Sequence, residues 1–490
     1  MRKITSDDFL SGEISRAGKK SIAGIALQFL QGFIVLISTV VLARLLGPDD
    51  FGVVAALAPV VALVNLLRNF GLSLAVIQSE KLSENEVSGY FWIQVVFTLF
   101  LALALASLGP LWAKILSDER MVPLALGMAV VSLIGGLGGI HGALLHRNLL
   151  FGRSTVSELT GVLVGLVSAI IAFSLGLGFW SLVVQQIAAS LATTSLFWYF
   201  CSWRPRVVKI QKEMLEGVLF GGALTIGQLF QYVRGNADVL LVRMFYGTEM
   251  LGYYSRAYRI VLLPTQHILG PVMRVALPLL SRKASSKEYS SIFENIFLFC
   301  IVVAVPAGVF TRFFPEDVTS LLLGPKWGGA VPCVRALGLL SILIPIGNCL
   351  STNLIVFKKT KLIFVVSLVA LLFALVAFAI GIRYSVPVMA EMYAWTIGVL
   401  IIIYVWIVAS ISPVKLGRLL KICLSAALPL SISTCVGLFF RTQSETENPF
   451  LNSLSVLVVF ASVYAVLVLV SGGIRGRLKE LRAMFTSQKV

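Results

Sequence analysis

The sequence predicts an all-α polytopic membrane protein of about fourteen transmembrane helices. Of its 490 residues, 58% are hydrophobic and 13% are charged, and the mean hydropathy is +0.93, well above that of a soluble domain. Apolar stretches of membrane-spanning length recur from Ser21 almost to the C-terminus. The formal net charge of +17 is not gathered in a basic arm or basic domain, so it does not indicate nucleic-acid binding.

The first twenty residues are mostly polar and carry both charge signs. They lack the apolar core of a cleavable signal peptide, so we expect residues 1–20 to form a cytoplasmic N-terminal tail. The six cysteines show no CxxC spacing and mostly fall within apolar stretches. This pattern indicates small packing residues rather than disulfides or a metal site.

The apolar stretches divide into two sets of six and a final pair. The first six predicted helices form an N-lobe over 21–201, near residues 21–46, 50–77, 87–116, 121–145, 154–176 and 178–201. A polar cytoplasmic linker (202–214) leads to a C-lobe over 215–410, with helices near 215–245, 248–280, 290–313, 329–356, 362–382 and 386–410. Two more helices, near 416–440 and 450–472, lie within 411–474 and precede a basic cytoplasmic tail at 475–490.

The charges of the short loops predict the orientation. With both termini in the cytoplasm, the cytoplasmic segments carry about 26 Lys and Arg residues and the external segments about six. One missed crossing would invert every later loop and remove this bias. The distribution therefore favours an even number of crossings.

The two sets of six helices resemble each other at an offset of 200 residues. The offset aligns Gln28 with Gln228, Gln31 with Gln231, Gly47 with Gly247, Asp49 with Glu249 and Gly52 with Gly252. An even number of crossings separates the copies, so we expect a parallel repeat whose axis runs along the membrane normal, with the transported molecule between the halves. Turn chemistry alone is the alternative explanation for the Gly-x-acid-x-apolar-Gly similarity, and the paired glutamines weaken it.

Polar residues within the predicted spans are the candidate binding residues, because each is costly in hydrocarbon. On the seventh helix Gln231, Arg234 and Asp238 share one stripe. On the eighth, Arg256, Arg259, Gln266, His267 and Arg274 share one face at helical spacing, and Pro264 and Pro271 should bend that helix. The predicted substrate-binding residues are Gln28, Gln31, Arg68, Gln228, Gln231, Arg234, Arg256, Arg259, His267 and Arg274.

Arginine suits phosphate because its planar guanidinium binds two oxygens and stays charged, so the predicted cavity should prefer an anion. For Arg44, Arg243 and Arg256, near the external ends, simple snorkelling is the competing interpretation. Arg234 could instead pair with Asp238, and His267 alone is weak evidence. Asp238 and Glu391 are the candidates for proton or sodium coupling, and we expect no other cofactor and no metal.

Enzyme motifs are missing from the sequence: there is no GxxxxGK[ST], HExxH or GxSxG. We therefore expect a transporter rather than an enzyme. A membrane glycosyltransferase or polymerase would need a sizeable external loop with carboxylates, and the longest one, near residues 311–328, offers only Glu316 and Asp317.

Several segments resemble a known family. The segments are LARLLGPDDFG (42–52), LHRNLLFGRS (145–154), WRPR (203–206), NADVLLVRMFYGTEMLGYYSRAYRI (236–260) and LLLGPKWGGAVPCVRALGL (321–339). They resemble the Wzx-type polysaccharide-transport flippases of the multidrug/oligosaccharidyl-lipid/polysaccharide exporter superfamily. Among these, the sequence looks most similar to colanic-acid and succinoglycan exporters. The resemblance covers about residues 20 to 360 and is weakest in the last third.

This resemblance implies a fold of two six-helix lobes in a V around a central cavity, with two extra C-terminal helices. It also implies movement of undecaprenyl-diphosphate-linked oligosaccharide from the cytoplasmic to the periplasmic leaflet for exopolysaccharide, capsule or O-antigen assembly, alongside polymerase or export machinery. A cation-coupled drug exporter of the same superfamily is the alternative. The scarcity of carboxylates within the spans disfavours it, because organic cations need negative partners.

Overall fold

A computed structural model describes residues 14–69, 71–79, 82–208, 212–284, 286, 288–443 and 448–486. The regular structure of these residues is helical throughout, and no strand occurs among them. The first eight helices are α1 (Ile14–Leu45), α2 (Pro48–Asn69), α3 (Leu72–Gln78), α4 (Glu84–Ser107), α5 (Gly109–Leu116), α6 (Met121–Arg147), α7 (Phe151–Ser174) and α8 (Trp180–Phe200).

The remaining helices follow the linker. They are α9 (Lys212–Pro264), α10 (Gly270–Arg282), α11 (Tyr289–Phe313), α12 (Pro315–Leu322), α13 (Val331–Val356), α14 (Thr360–Gly381), α15 (Val386–Ile411), α16 (Leu416–Gln443), α17 (Pro449–Val470) and α18 (Gly472–Thr486). A π-helical turn (Thr265–Leu269) joins α9 to α10, and a 3-10 turn (Pro325–Ala330) precedes α13.

Local sequence explains where several helices begin and break. Ser83 and Glu86 form a capping box that starts α4, in which each side chain accepts a hydrogen bond from the other residue's backbone. The single helix expected over 87–116 is wrong, because α4 ends at Ser107 and α5 begins at Gly109, with a proline in its first turn. The second predicted helix is likewise divided at Gly71, whose φ of 66° lies in the left-handed region.

The long helix α9 contains two of the predicted spans. Gly247 interrupts its helical geometry with φ 81° and ψ −172°, a conformation open essentially only to glycine. After Pro264 the π-helical turn adds a residue to one turn of the predicted eighth helix, and the bend predicted at Pro264 and Pro271 stays a prediction. Each of the fourteen predicted segments thus coincides with helical structure.

Ten helices in the described ranges are long and apolar enough to cross a membrane. They correspond to every predicted span except the first, sixth, seventh and eighth. The side chains of α1 are described only over the apolar stretch Leu30–Leu45, and α10 has only 13 residues. The described parts of α8 and α9 carry glutamines, threonines and arginines that lower their hydropathy. The all-α membrane fold is confirmed, and the count of fourteen crossings stays a prediction consistent with it.

The chain forms two compact units, Met1–Gly252 and Tyr253–Val490. In the first, a buried core joins α3, α4 and α6 around residues such as Phe91 and Ile140. In the second, Tyr289 and Phe293 of α11 stack at 6.3 Å in a core that also receives α10, α13 and α16. The predicted division of the lobes at the linker 202–214 stays a prediction.

Candidate functional site

Arg68, near the end of α2, lies against the glycine-rich middle of α6. Its Nη1 donates to the Ser132 carbonyl at 3.1 Å, and its guanidinium covers Gly135, where a Cβ would clash with it. The Nε–H is buried and has no hydrogen-bond partner among the described residues. No carboxylate among the described residues pairs with Arg68. A predicted span therefore holds a charged guanidinium with unused donors.

Arg234 of α9 is half-buried, and Asp238 lies one helical turn further on and is buried. The ion pair between them that the spacing allows is not formed. Arg234 makes neither a hydrogen bond nor an ion pair with any residue that the structure describes. Its charge is therefore not neutralised by the nearest carboxylate of its own helix.

Arg256 and Arg259 lie near the end of α9, in the second unit. Arg256 is partly buried, and the Arg259 side chain is exposed and has no polar partner within the described ranges. A guanidinium in the interior of a span is costly if it faces lipid, so an exposed one favours a water-filled cavity. The side chain of Arg259 therefore remains available to an anion.

Five predicted binding residues have side chains outside the described part of the structure. They are Gln28, Gln228, Gln231, His267 and Arg274. The π-helical turn at Thr265–Leu269 bears on the last two, because it breaks the regular spacing that places Arg256 to Arg274 on one face. The single cationic face of the eighth helix therefore stays a prediction.

Gln31 takes part in a chain of polar side chains within the first unit. Its Nε2 donates to Glu158 Oε2 at 3.2 Å, and the Ser154 hydroxyl donates to Glu158 Oε1 at 3.3 Å. Ser154 Oγ lies 2.9 Å from His146 Nε2. The hydrogen bonds thus run from α1 through α7 to the end of α6.

Glu391, one of the two candidate coupling residues, accepts a hydrogen bond from Arg312 at 2.6 Å. Arg312 also donates to the Arg335 carbonyl, so it ties α11 to both α13 and α15. This ion pair gives Glu391 a structural partner near the predicted external end. Its role in ion coupling, like that of Asp238, stays a prediction.

At the predicted external end, the start of α2 packs against the break in α9, within the first unit. Gly52 lies against the Thr248 carbonyl, and Gly252 lies against the Pro48 carbonyl, and neither site has room for a Cβ. Residues 48 and 52 therefore meet residues 248 and 252 reciprocally. The repeat seen at an offset of 200 residues is also a local two-fold contact.

An ion network reinforces this end of the unit. Arg243 donates to the Leu116 carbonyl at 3.0 Å and to Asp118 at 3.3 Å, and Arg120 bridges Asp118 and Asp49. Burial acts to raise the pKa of Asp118, but the hydrogen bonds and charges of Arg120 and the charge of Arg243 outweigh it and lower that pKa. The Arg243 side chain is 9% exposed and pairs with Asp118, so in this structure it does not extend to solvent as the competing interpretation has it.

Sequence reasoning missed two features of the first unit. For the hydrogen-bonded chain His146–Ser154–Glu158, the sequence offered one indication: Ser154 and Glu158 are one helical turn apart. For the network around Asp118 it offered none, because Asp118 and Arg243 are 125 positions apart. Within the unit, the structure joins Gln31 to Glu158 but makes no hydrogen bond between Gln31, Arg68 and Arg234.

Comparison with known proteins identifies relatives of this chain. Residues 41–332 match the family described as "Polysaccharide biosynthesis protein". The lipopolysaccharide biosynthesis protein WzxC of Escherichia coli is 23% identical over 71% of this chain and 72% of that protein. The teichuronic acid biosynthesis protein TuaB of Bacillus subtilis is 25% identical over 78% of this chain and 80% of that protein.

Solved structures share the fold. The lipid II flippase MurJ, in an inward closed conformation, aligns with a TM-score of 0.73 and 15% identity over 92% of this chain and 98% of its own. An inward-facing multidrug resistance transporter of the MATE family in the MOP superfamily aligns with a TM-score of 0.63 and 15% identity over 82% of this chain and 99% of its own. These neighbours are transporters and flippases, which agrees with the expectation of a protein that is not an enzyme. The chain is a multi-pass membrane protein with the MOP fold, and it belongs to the polysaccharide biosynthesis protein family.

Proposed function

We propose that this protein is a flippase that moves undecaprenyl-diphosphate-linked oligosaccharide from the cytoplasmic to the periplasmic leaflet of a bacterial inner membrane. The observation that carries the proposal is the set of arginines in predicted spans with no carboxylate partner among the described residues: Arg68, Arg234 and Arg259. A diphosphate supplies the negative charge that these guanidinium groups lack, and planar guanidinium groups bind phosphate oxygens in pairs.

Family membership supports the same substrate class. WzxC and TuaB are named for the biosynthesis of lipopolysaccharide and teichuronic acid, and MurJ for flipping lipid II. The half-buried Gln31 and the predicted glutamines Gln28, Gln228 and Gln231 would bind sugar hydroxyls, because a side-chain amide both donates and accepts. A polymerase or export complex would receive the flipped molecule.

Transport would proceed by alternating access, with both termini in the cytoplasm. We expect the reciprocal contact of Gly52 and Gly252 to hold the predicted external end closed. That contact must separate to release the oligosaccharide outside, and it must form again before the next molecule enters.

The test uses a deletion strain that makes a polymer through this protein. Mass spectrometry of its lipid extract should detect an accumulated lipid-linked oligosaccharide, and the wild-type gene should clear it. Charge reversal of Arg68, Arg234 or Arg259 to Glu should leave the intermediate in place, because a carboxylate repels the diphosphate.

Arg383→Glu is the matched control, since Arg383 is exposed in a predicted external loop. It should restore export as well as the wild type does, at equal amounts of membrane-inserted protein. Normal export from the double variant Arg68→Glu/Arg259→Glu would remove the basis of the arginine argument. Increased susceptibility to cationic drugs in the deletion strain, with no accumulated lipid, would favour a drug exporter instead.

A further inference from the structure

Glu158 differs from Glu391 and Glu294, two other carboxylates of apolar helices, in the partners it has. Glu391 pairs with Arg312, and Glu294, buried near the start of α11, pairs with Arg418 and Arg477. Glu158, by contrast, is bonded only to the neutral side chains of Gln31 and Ser154 within the described ranges. Among the residues whose side chains are described, Glu158 therefore accepts hydrogen bonds from neutral groups and holds no ion pair.

We propose that Glu158 is a proton-binding site that couples proton movement to transport, with Ser154 and His146 conducting the proton between Glu158 and the membrane boundary. This inference rests on the transport function proposed above. The chain of hydrogen bonds carries it, because three titratable or hydroxyl groups follow one another at 3.3 Å and 2.9 Å. Such a chain passes a proton without any group having to move far.

The release step balances as a proton shift along the chain. When Glu158 is protonated, its O–H donates to Ser154 Oγ, the reverse of the bond described above, and the Ser154 hydroxyl turns to donate to His146 Nε2. The Glu158 proton then passes to Ser154 Oγ as the Ser154 hydroxyl proton passes to His146 Nε2. Glu158 is left as a carboxylate and His146 as an imidazolium, which then loses its proton to water. His146 is half-buried next to the exposed Leu149, at the end of α6 that loop charges predict to be cytoplasmic.

Gln31 connects this site to the predicted substrate cavity. Its amide donates to Glu158 Oε2, and a carboxylate accepts such a bond more strongly than a carboxylic acid does. Loss of the proton therefore fixes the Gln31 side chain on α7, and gain of the proton frees it. The protonation state of Glu158 would in this way decide whether Gln31 is available to a sugar hydroxyl.

The described basic side chains of α6 and α7 near Glu158 are engaged by other groups. Arg147 of α6 is engaged by the carbonyls of Val76 and Ser79, and Arg153 of α7 lies 6.0 Å from the centre of the Phe200 ring. The 21 residues of α8 include no charged side chain. The basic residues near the start of α1, Arg16, Lys19 and Lys20, have side chains outside the described part.

The experiment uses the full-length protein in sealed vesicles with fluorescently labelled undecaprenyl-diphosphate-linked monosaccharide as the probe. A pH gradient of one unit, coupled to one proton per molecule, should shift the steady-state distribution of the probe between leaflets by about tenfold. Glu158→Gln keeps the size and one of the two acceptor oxygens but cannot ionise, so we expect it to equilibrate the probe and to show no shift. Glu119→Gln, in an exposed loop, is the matched control and should shift as the wild type does.

Ser154→Ala provides a second test that leaves the carboxylate in place. Under the gradient, Ser154→Ala should reach the same distribution of the probe between leaflets as the wild type. It should reach it at least about tenfold more slowly, because the proton relay is interrupted. A Glu158→Gln protein that responds to the gradient like the wild type would overturn the inference and leave the flippase proposal standing. A wild type that responds to a sodium gradient and not to pH would also overturn it, whereas a wild type that never moves the probe would instead refute the flippase proposal.

Discussion

Gly52 lies directly against the backbone carbonyl of Thr248, with no room for a Cβ between them. Two hundred positions later, Gly252 meets the carbonyl of Pro48 in the same way. Backbone carbonyls cannot move aside as the end of a flexible side chain can. The two glycines therefore determine how closely the start of α2 approaches the break in α9.

We expect Gly52→Ala and Gly252→Ala each to weaken this closure and to reduce polymer export, because a methyl group would push the two segments apart. Each should lower the free energy of unfolding by about 1–3 kcal/mol and so lower the melting temperature. A thiol-reactive fluorescent dye in a melting experiment measures this, since four cysteines are buried and react on unfolding. Because both substitutions disrupt the same contact, the double variant should lose less stability than the two single variants lose in sum. Gly152→Ala, which meets open space, is the control, and a strictly additive double variant would contradict the shared contact.

Gly247→Ala should be destabilising for a different reason. The φ of 81° and ψ of −172° cost a residue with a Cβ about 1–3 kcal/mol, whatever space surrounds it. Gly235→Ala, in the same helix and also facing open space, should instead be neutral or stabilise by about 0.5–1 kcal/mol. Equal melting temperatures for the two variants would show that the break at Gly247 is not maintained in the folded protein.

Asp118→Asn should loosen the network at the same end of the unit. The substitution leaves Arg243 buried without its carboxylate, and because Arg120 is 38% exposed we expect a loss of about 1–3 kcal/mol, below the figure for a fully buried pair. Glu119→Gln, its exposed neighbour, should melt like the wild type.

The pH dependence of this loss follows from the lowered pKa of Asp118. The ionised group stabilises the fold at pH values above its unfolded pKa of about 4, and this contribution disappears as the pH falls through the lower folded value. The melting temperatures of wild type and Asp118→Asn should therefore differ by a constant amount between about pH 5 and 8 and converge in stronger acid. If the difference in melting temperature disappeared near neutral pH instead, the lowered pKa of Asp118 would not be its cause.

Glu294→Gln should release α18 from the second unit. Glu294 is buried and accepts from Arg418 of α16 and Arg477 of α18 at 3.3 and 3.5 Å. With a neutral amide the two arginines lose their charge partner, and α18 retains the apolar contacts of Ile474 and Leu478 and the hydrogen bond from Asn295 to Glu480. Limited trypsin digestion in membranes should then cut at Arg475 and Lys479 faster than in the wild type. Glu288→Gln, in the exposed loop before α11, should leave the digestion rate unchanged.

The sequence was sufficient to predict where the helices lie but not which side chains contact each other between helices. Hydropathy and loop charge report on single segments, so the order of the helices and the all-α membrane fold could be predicted. Asp118 and Arg243, or Gln31 and Glu158, lie more than a hundred positions apart, and nothing in either local segment indicates the other. The π-helical turn after Pro264 was equally hidden, because a proline predicts a distortion but not the extra residue that shifts the register beyond it.

The reciprocity of the glycine contact has a consequence for the origin of the chain. A contact in which position 48 meets 252 and position 248 meets 52 needs only one kind of segment, used twice. It has the self-complementary form of a two-fold dimer interface, in which the same patch serves both partners. Two separate copies of an ancestral half could have made this contact before gene duplication and fusion joined them into one polypeptide.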